Sequence, residues 1–285
     1  MGFGTVGILG VGLLGGSLGM ALKSAYLAER IIGIGRNQQR LQLALECGAV
    51  DEVSLNVSCV APVLDLLVIA TPVDRIASFV QESAEKLKPG AVITDVGSTK
   101  AKVVAQSESS IGRDDVFFVG SHPMAGGEKT GVQAARKDLF EGATCFVTPS
   151  PSTNPGARDQ VCQLWRSVGG NVHLVSPEEH DALVAASSHL PHLIASALCL
   201  SAERSAENHA MLSKALGAGF KDTTRIAAGS EDLWRDICMH NRNNLLDCFE
   251  QFSLILEEIR IALGTNQEER LEALLRRARE FRENL

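Results

Sequence analysis

Seven cysteines are scattered along the 285 residues (Cys47, Cys59, Cys145, Cys162, Cys199, Cys238 and Cys248), and no two of them stand in a Cys-x-x-Cys spacing. That absence removes zinc-ribbon and dithiol redox readings. The odd, dispersed set reads instead as reduced core residues of a cytoplasmic protein. Aromatic residues make up only 5% of the chain, no basic segment interleaves with them, and the net charge is −7. A dedicated nucleic-acid binder is thereby excluded. No apolar run approaches the length that spans a bilayer. Residues 6–22 are nearly uncharged, but no basic segment precedes them and their glycines would make a poor signal core. What is left is a soluble globular chain, 45% hydrophobic, with room for two domains and a small-molecule partner.

The apolar run Val6-Gly7-Ile8-Leu9 reads as a short buried strand, and Gly10-Val11-Gly12-Leu13-Leu14-Gly15 follows it directly. A helical pattern comes next, with Leu14, Leu18, Ala21 and Leu22 on one face. In that strand, turn and helix setting each glycine has a job. Gly10 permits the tight turn, Gly12 lets backbone approach a pyrophosphate, and Gly15 lets the helix pack on the strand. The phosphates would rest on the positive end of the helix, beside Leu13 and Leu14.

Residues 30–35, 66–70, 91–96, 116–119 and 144–147 read as further strands, with helices between several of them. A helix and strand at 157–168 and 171–175 complete the pattern, after a loop-like stretch at 149–156. Such alternation predicts an α/β, doubly wound, mostly parallel sheet of the Rossmann type over residues 1–175. Residues 176–285 show no convincing strand and are expected to be all helical. Ser176-Pro177-Glu178-Glu179 resembles a helix start, with serine as cap, proline at the first helical position and acids in the first turn. Leu245, Phe249, Phe252, Leu256, Ile259 and Leu263 form one stripe of a long helix, which suits an internal core seam and a subunit contact equally well. In the last segment Leu271, Leu274, Leu275, Ala278 and Phe281 are expected to face inward, with Glu272 and Arg276 paired on the solvated face.

The second strand ends in Gly35-Arg36 rather than in the acidic residue that normally accepts from the ribose of NAD. Without that carboxylate nothing repels a 2′-phosphate, and Arg36 offers it a planar fork; the other reading is an exposed residue opening the next helix. NADP is therefore the expected cofactor, with NAD possible. Asp51 lies too far past the strand end to substitute.

Three further stretches carry chemistry. Asp95-Val96-Gly97-Ser98-Thr99-Lys100 ends a strand, where Ser98 either caps the next helix or faces the cofactor crevice. Gly120-Ser121-His122-Pro123-Met124-Ala125-Gly126 sets an imidazole in a loop bounded by proline and glycine, where it could take a hydroxyl proton as hydride leaves the same carbon. The helical half adds His180, Ser188-His189-Leu190-Pro191-His192, Phe220-Lys221-Asp222-Thr223-Thr224-Arg225 and Trp234. His189 and His192 would share a helix face that Pro191 bends. They lack a carboxylate or cysteine at a recognised ligand spacing, so no metal site is expected.

Taken in order, these segments closely resemble the prephenate/arogenate dehydrogenase family, from the first strand to near the end of the chain. The resemblance implies a nucleotide-binding domain followed by an all-α dimerisation domain, a homodimer, and oxidative decarboxylation of prephenate or arogenate in tyrosine biosynthesis. Carried over motif by motif, it implies that His122 deprotonates the ring hydroxyl and that Ser98 hydrogen-bonds within that pair. Arg225 would hold the side-chain carboxylate, His192 would line the pocket, and His189 and Trp234 would support it. Glu128 would help to close the pocket. Thr71 and Pro72, just past the 66–70 strand, join Gly10, Gly12, Leu13, Leu14, Gly15, Gly35 and Arg36 as the implied cofactor contacts. Two alternatives stand beside this reading: a non-catalytic NADP sensor, and another reductase of the β-hydroxyacid or imine type. An unperturbed histidine base titrates near ~6.5, so activity is expected to fall on the acid side of that value.

Overall fold

Eight strands form one sheet in the order β3-β2-β1-β4-β5-β6-β7-β8 in a computed structural model that describes residues 2–127, 129–209 and 211–285. The strands are β1 (Phe3–Leu9), β2 (Ala28–Ile34), β3 (Glu52–Ser54), β4 (Leu66–Ile69), β5 (Val92–Asp95), β6 (Phe117–Pro123), β7 (Thr144–Thr148) and β8 (Asn171–Leu174). Helices α1 (Leu13–Ser24), α2 (Gln38–Glu46), α3 (Val57–Val60), α4 (Val73–Ala84), α5 (Ala101–Ser109) and α6 (Pro155–Ser167) lie between them. β1, β2, β4 and β5 are wholly buried at their carboxyl halves, as strands covered on both faces must be. Two apolar layers result. One joins Ile8, Leu18, Val68 and Trp165, and the other joins Ile69, Ile76, Val80, Ile93 and Phe118.

Two features depart from the sequence reading. β3 is a three-residue edge strand beside β2, too short and too exposed to leave an apolar run. More consequentially, His122 lies on a strand and not in a loop. Phe117–Val119 of β6 pairs parallel to β5, and Gly120–Pro123 then pairs antiparallel to β7, with His122 opposite Phe146. Glycine and proline suggested a turn, yet Pro123 sits at the last position of the strand, where a missing N–H is tolerated.

The second half is helical, as expected: α7 (Pro177–Val184), α8 (Leu190–Ala206), α9 (Leu212–Ala215), α10 (Ala218–Thr224), α11 (Glu231–His240), α12 (Arg242–Gly264) and α13 (Glu268–Glu283). Ser176 caps α7 by accepting from the Glu179 N–H at 3.1 Å, with Pro177 in the first turn. α7 and α8 are one continuous helix from Pro177 to Ala206, joined through a π-helical turn at Ala185–His189. Pro191 has no N–H and crowds the turn before it, and the wider turn accommodates that defect. This helix is long and apolar enough, by length and composition, to cross a membrane, contrary to the reading of the sequence as lacking such a run. It carries the buried polar residues His180, Asp181, His189 and His192, and the first three are hydrogen-bonded within the fold, so that face of the helix packs against the rest of the chain.

α13 corrects a further expectation, while the stripe of α12, read equally as a core seam or a subunit contact, is only partly covered. Leu245 is buried, but Leu256, Leu263, Leu275 and Phe281 are half or more exposed, so these residues do not face inward in the single chain. The Glu272–Arg276 pair forms at 2.6 Å. Of the cysteines, only Cys145 and Cys162 are core residues; Cys59 is exposed and the others are half-buried.

α1 rests on β1 because Gly15 has no side chain. A Cβ there would stand 2.3 Å from the Gly10 carbonyl oxygen and 2.9 Å from Ile8. Backbone cannot yield as a flexible side chain can, so Gly15→Ala is expected to cost about 1–3 kcal/mol in a denaturant titration and to weaken dinucleotide binding as the turn shifts.

Candidate active site

The carboxyl ends of β1, β4, β5 and β6 meet in the middle of the sheet, and Gly10, Gly12, Thr71, Ser98 and His122 lie on or just past them. Gly10 closes the turn after β1 with φ at +97°, a conformation natural to glycine, and its N–H bonds the Ile34 carbonyl at 2.9 Å. Gly12 caps α1 from a position where an added Cβ would meet nothing within 4 Å, so the helix N-terminus opens onto free space. Leu13 and Leu14 flank it, half-buried. Gly35 and the exposed Arg36 sit at the end of β2, where Gly35 N–H reaches the Ser54 carbonyl at 3.1 Å. Asp51 is occupied elsewhere, accepting from the Ile31 N–H at 2.8 Å and pairing with Lys23 at 2.7 Å. Past β4, the Thr71 hydroxyl is buried without a hydrogen-bond partner among the described residues, and Pro72 is the cap residue before α4. An open helix N-terminus, a close-approach glycine loop and an orphaned hydroxyl suit a dinucleotide.

Behind this crevice lies a buried polar frame. Lys100 and Asp95, both fully buried, form an ion pair, and Lys100 Nζ also donates to the Ser121 carbonyl at 3.0 Å. Asp95 accepts from Ser121 N–H at 3.1 Å and from Gly97 N–H at 2.8 Å. The Ser121 hydroxyl donates to the Asp95 carbonyl at 2.6 Å and accepts from the Trp165 indole at 2.9 Å. Each charge has a partner, as buried charges require. Together these bonds lock the ends of β5 and β6, and His122 is the next residue along.

His122 Nδ1 stands 2.9 Å from Nε2 of His180, whose own Nδ1 stands 2.8 Å from Asp181 Oδ1. Phe146, opposite His122 on β7, packs its ring edge-on to His180. Burial, then His180, Lys100 and His189, push the His122 imidazole well below its usual 6.5, so it is neutral at physiological pH. Loss of the basic form therefore sets in well below the value expected of an unperturbed histidine. Ser98 is half-buried beside this frame. It does not cap α5: the Asp181 carboxylate does, accepting from Lys100 N–H at 2.7 Å and Ala101 N–H at 2.9 Å across the boundary between the two halves. No hydrogen bond joins Ser98 to His122 among the described residues.

In the helical half His189 and His192 both meet Trp234. His192 stacks on the indole at 3.5 Å between centroids and 12° between planes, and His189 approaches edge-on at 6.0 Å. His189 Nδ1 lies 3.1 Å from the Asn241 amide, which also donates to the Asp181 carbonyl at 2.7 Å. His192 Nδ1 is buried without a hydrogen-bond partner among the described residues. Gly229 passes so close to the stack that a Cβ would lie 2.5 Å from Trp234 Nε1. Arg225 opens a short 3₁₀ turn that packs on α8, and its side chain is exposed. Glu128 lies outside the described residues. No group of three or more His, Cys, Asp or Glu side chains among the described residues could hold a metal.

Sequence reasoning missed Asp181, Asn241 and Gly229 and left His180 without a role. The helix start at Ser176 held the signal: counting from that cap, residues 180–181, 184–185, 188–189 and 192 recur on one inward face.

Two family profiles divide the chain. The "Prephenate dehydrogenase, nucleotide-binding domain" profile matches residues 18–174, and the "Prephenate dehydrogenase, dimerization domain" profile matches residues 176–277. This chain belongs to the prephenate dehydrogenase family. Prephenate dehydrogenase of Bacillus subtilis is 35% identical over 99% of this chain and 76% of its own length. Among solved structures, prephenate dehydrogenase from A. aeolicus in complex with hydroxyphenyl propionate and NAD+ superposes with a TM-score of 0.94 at 32% identity, covering 100% of this chain and 99% of that one. Synechocystis arogenate dehydrogenase superposes with a TM-score of 0.83 at 27% identity, covering 98% and 99%. Membership makes the chain an NAD(P)-dependent oxidoreductase with a Rossmann-type domain and a helical dimerisation domain.

The buried histidines set the acid stability of the fold. Burial lowers His180 and pushes His189 from its usual 6.5 to about 4, with the same cause leading at His122. The unfolded chain then binds protons that the folded chain refuses, so stability is full above about 6.5 and is lost progressively as pH falls toward 4. Thermal melts at pH 7 and pH 5 are expected to show a lower midpoint at pH 5.

Proposed function

We propose that this chain oxidatively decarboxylates prephenate, arogenate or both, with hydride transfer to NADP or NAD, as a soluble cytoplasmic homodimer in tyrosine biosynthesis. The observation that carries this reading is a buried imidazole, His122, held at the carboxyl edge of the sheet against His180 of the helical half.

When bound, the nicotinamide supplies the hydride acceptor. His122 takes the proton of the ring hydroxyl as the hydride departs from the same carbon, leaving a carbonyl there. The bond from the opposite ring carbon to its carboxylate then breaks, carbon dioxide leaves, and its electron pair enters the ring. His122 returns its proton to the oxygen, and the product is a phenol. Aromatisation drives the step, so the residues need only align the reactants, exclude water and manage one proton.

Ser98 would hydrogen-bond to the reacting hydroxyl and His122. Arg225 would anchor the side-chain carboxylate through a bidentate contact, with Glu128 closing over it. His192, whose Nδ1 has no hydrogen-bond partner among the described residues, would line the pocket, held in place by its stack on Trp234 with His189 edge-on to the same indole. Gly10, Gly12, Leu13, Leu14 and Gly15 would cradle the pyrophosphate, and Gly35, Thr71 and Pro72 would border the adenosine and ribose. Arg36, exposed at the end of β2 with no carboxylate in place, supports a preference for NADP. Residues 1–175 and 176–285 form the two functional units. The exposed faces of α12 and α13, with Leu256, Leu263, Leu275 and Phe281, supply the subunit contact. A non-catalytic sensor and a reductase of the β-hydroxyacid or imine type, which uses a helix lysine, are not favoured. Lys100, the lysine of the Asp95–Lys100 segment, is locked against Asp95.

His122→Asn is expected to keep cofactor affinity and lose about 10²–10⁴-fold in turnover; near-normal turnover would remove His122 as the base. Following the absorbance of reduced cofactor with prephenate and with arogenate, each supplied with NADP or NAD, should give activity in at least one combination and favour NADP. Arg36→Ala should abolish that preference, and an NAD preference in both proteins would overturn the cofactor reading.

A further inference from the structure

We propose that Asp181 and His180 are positioning residues that fix which nitrogen of His122 carries its proton. The inference deepens the reading above and rests on His122 acting as the base.

Both oxygens of the Asp181 carboxylate accept backbone N–H groups at the start of the nine-residue helix α5, Oδ1 from Lys100 and Oδ2 from Ala101. With the carboxylate held as an acceptor, the hydrogen between Asp181 Oδ1 and His180 Nδ1 belongs to the imidazole. A neutral imidazole has one N–H, so Nε2 of His180 presents a lone pair. That lone pair faces His122 Nδ1 at 2.9 Å, and the hydrogen of this contact must come from His122. His122 is then protonated at Nδ1, and its Nε2 is left bare, with no hydrogen bond among the described residues. Nε2 is the atom that can take a hydroxyl proton. Were the chain reversed, His122 would carry its hydrogen on Nε2 and could only donate.

The arrangement is built to hold one sense. Asp181 cannot turn away without uncapping α5, and Asn241 holds its backbone carbonyl at 2.7 Å. His180 is fully buried, wedged between His122 and Phe146. The groups facing His122 from the packed elements are His180 on α7, Lys100 at the start of α5 and His189 in the π-turn, while the carboxylates of Asp95 and Asp181 lie behind Lys100 and His180. On taking the substrate proton, His122 keeps its Nδ1–H bond to His180, and the Asp181 charge acts through that ring on the new imidazolium.

The test reads tautomer and rate separately. Nitrogen NMR of the full chain, labelled at its imidazoles and loaded with cofactor, should show His122 protonated at Nδ1 and bare at Nε2, assigned by loss of the signals in His122→Asn. His180→Leu should lose about 10²-fold in kcat with KM and cofactor affinity changed by no more than about twofold. His180→Gln, whose amide oxygen can accept from His122, should recover at least about tenfold of that loss. Asp181→Asn, which can offer an N–H to His180, should turn both rings over and move the His122 proton to Nε2. The proposal is overturned by a wild-type His122 protonated at Nε2, or by a folded His180→Leu protein within about threefold of wild-type turnover. Should His180→Leu not fold, the wild-type tautomer alone decides. Should His122 prove not to be the base, His122→Asn would remain active while the tautomer is still read, so the two failures are distinguishable.

Discussion

One carboxylate joins the two halves of this protein at the point where chemistry is expected. Asp181, near the start of the first helix after the sheet, caps α5 of the nucleotide-binding half and orients His180, while its own backbone is held by Asn241 from the start of α12. Each contact satisfies a group that would otherwise be buried and unpaired, and an unpaired buried group costs about 1–3 kcal/mol or more when charged. The relative placement of sheet and helices therefore follows from hydrogen-bond accounting rather than from apolar contact alone.

The second constraint is the frame of Asp95, Lys100 and Ser121. A buried ion pair is weak evidence for stability, because desolvation offsets much of its attraction. Its consequence here is geometric. It pins the ends of β5 and β6 where the chain changes from parallel to antiparallel pairing, which stiffens the backbone one residue before the imidazole. His122 thus stands on a paired strand, and rigid backbone holds a reacting group more closely than a loop can.

Much of the architecture was legible in the sequence because it follows from local patterns. Apolar runs marked most of the buried strands, the fingerprint placed the first turn, and Ser176-Pro177 marked the start of the helical half. β3 escapes because three residues, two of them exposed, carry no periodicity. Gly120 and Pro123 are turn residues in most settings and point to a loop at His122, while the pairing that overrides them comes from β7, more than twenty residues further on. Asp181 and Asn241 were hidden for the same reason: their roles exist only across contacts of long sequence separation. The apolar residues of α13 were expected to face inward because periodicity reports which side is apolar and not what covers it. Leu275, within the residues matched by the dimerisation-domain profile, and Phe281, just past them, remain exposed in the single chain.

The π-turn at residues 185–189 has a consequence for the phase of the long helix. A turn of this kind holds one residue more than an α-turn, and one residue corresponds to about 100° of rotation about the axis. Upstream of it, His180 and Asp181 address the sheet; downstream, His192 addresses Trp234. The surplus residue works as a phase correction that keeps the side chains on either side of it along one inward face of a single rod. A lineage that lost it, with every other amino acid retained, would carry the same inventory of groups aimed in incompatible directions, so spacing within this segment is constrained as tightly as the identity of the residues around it.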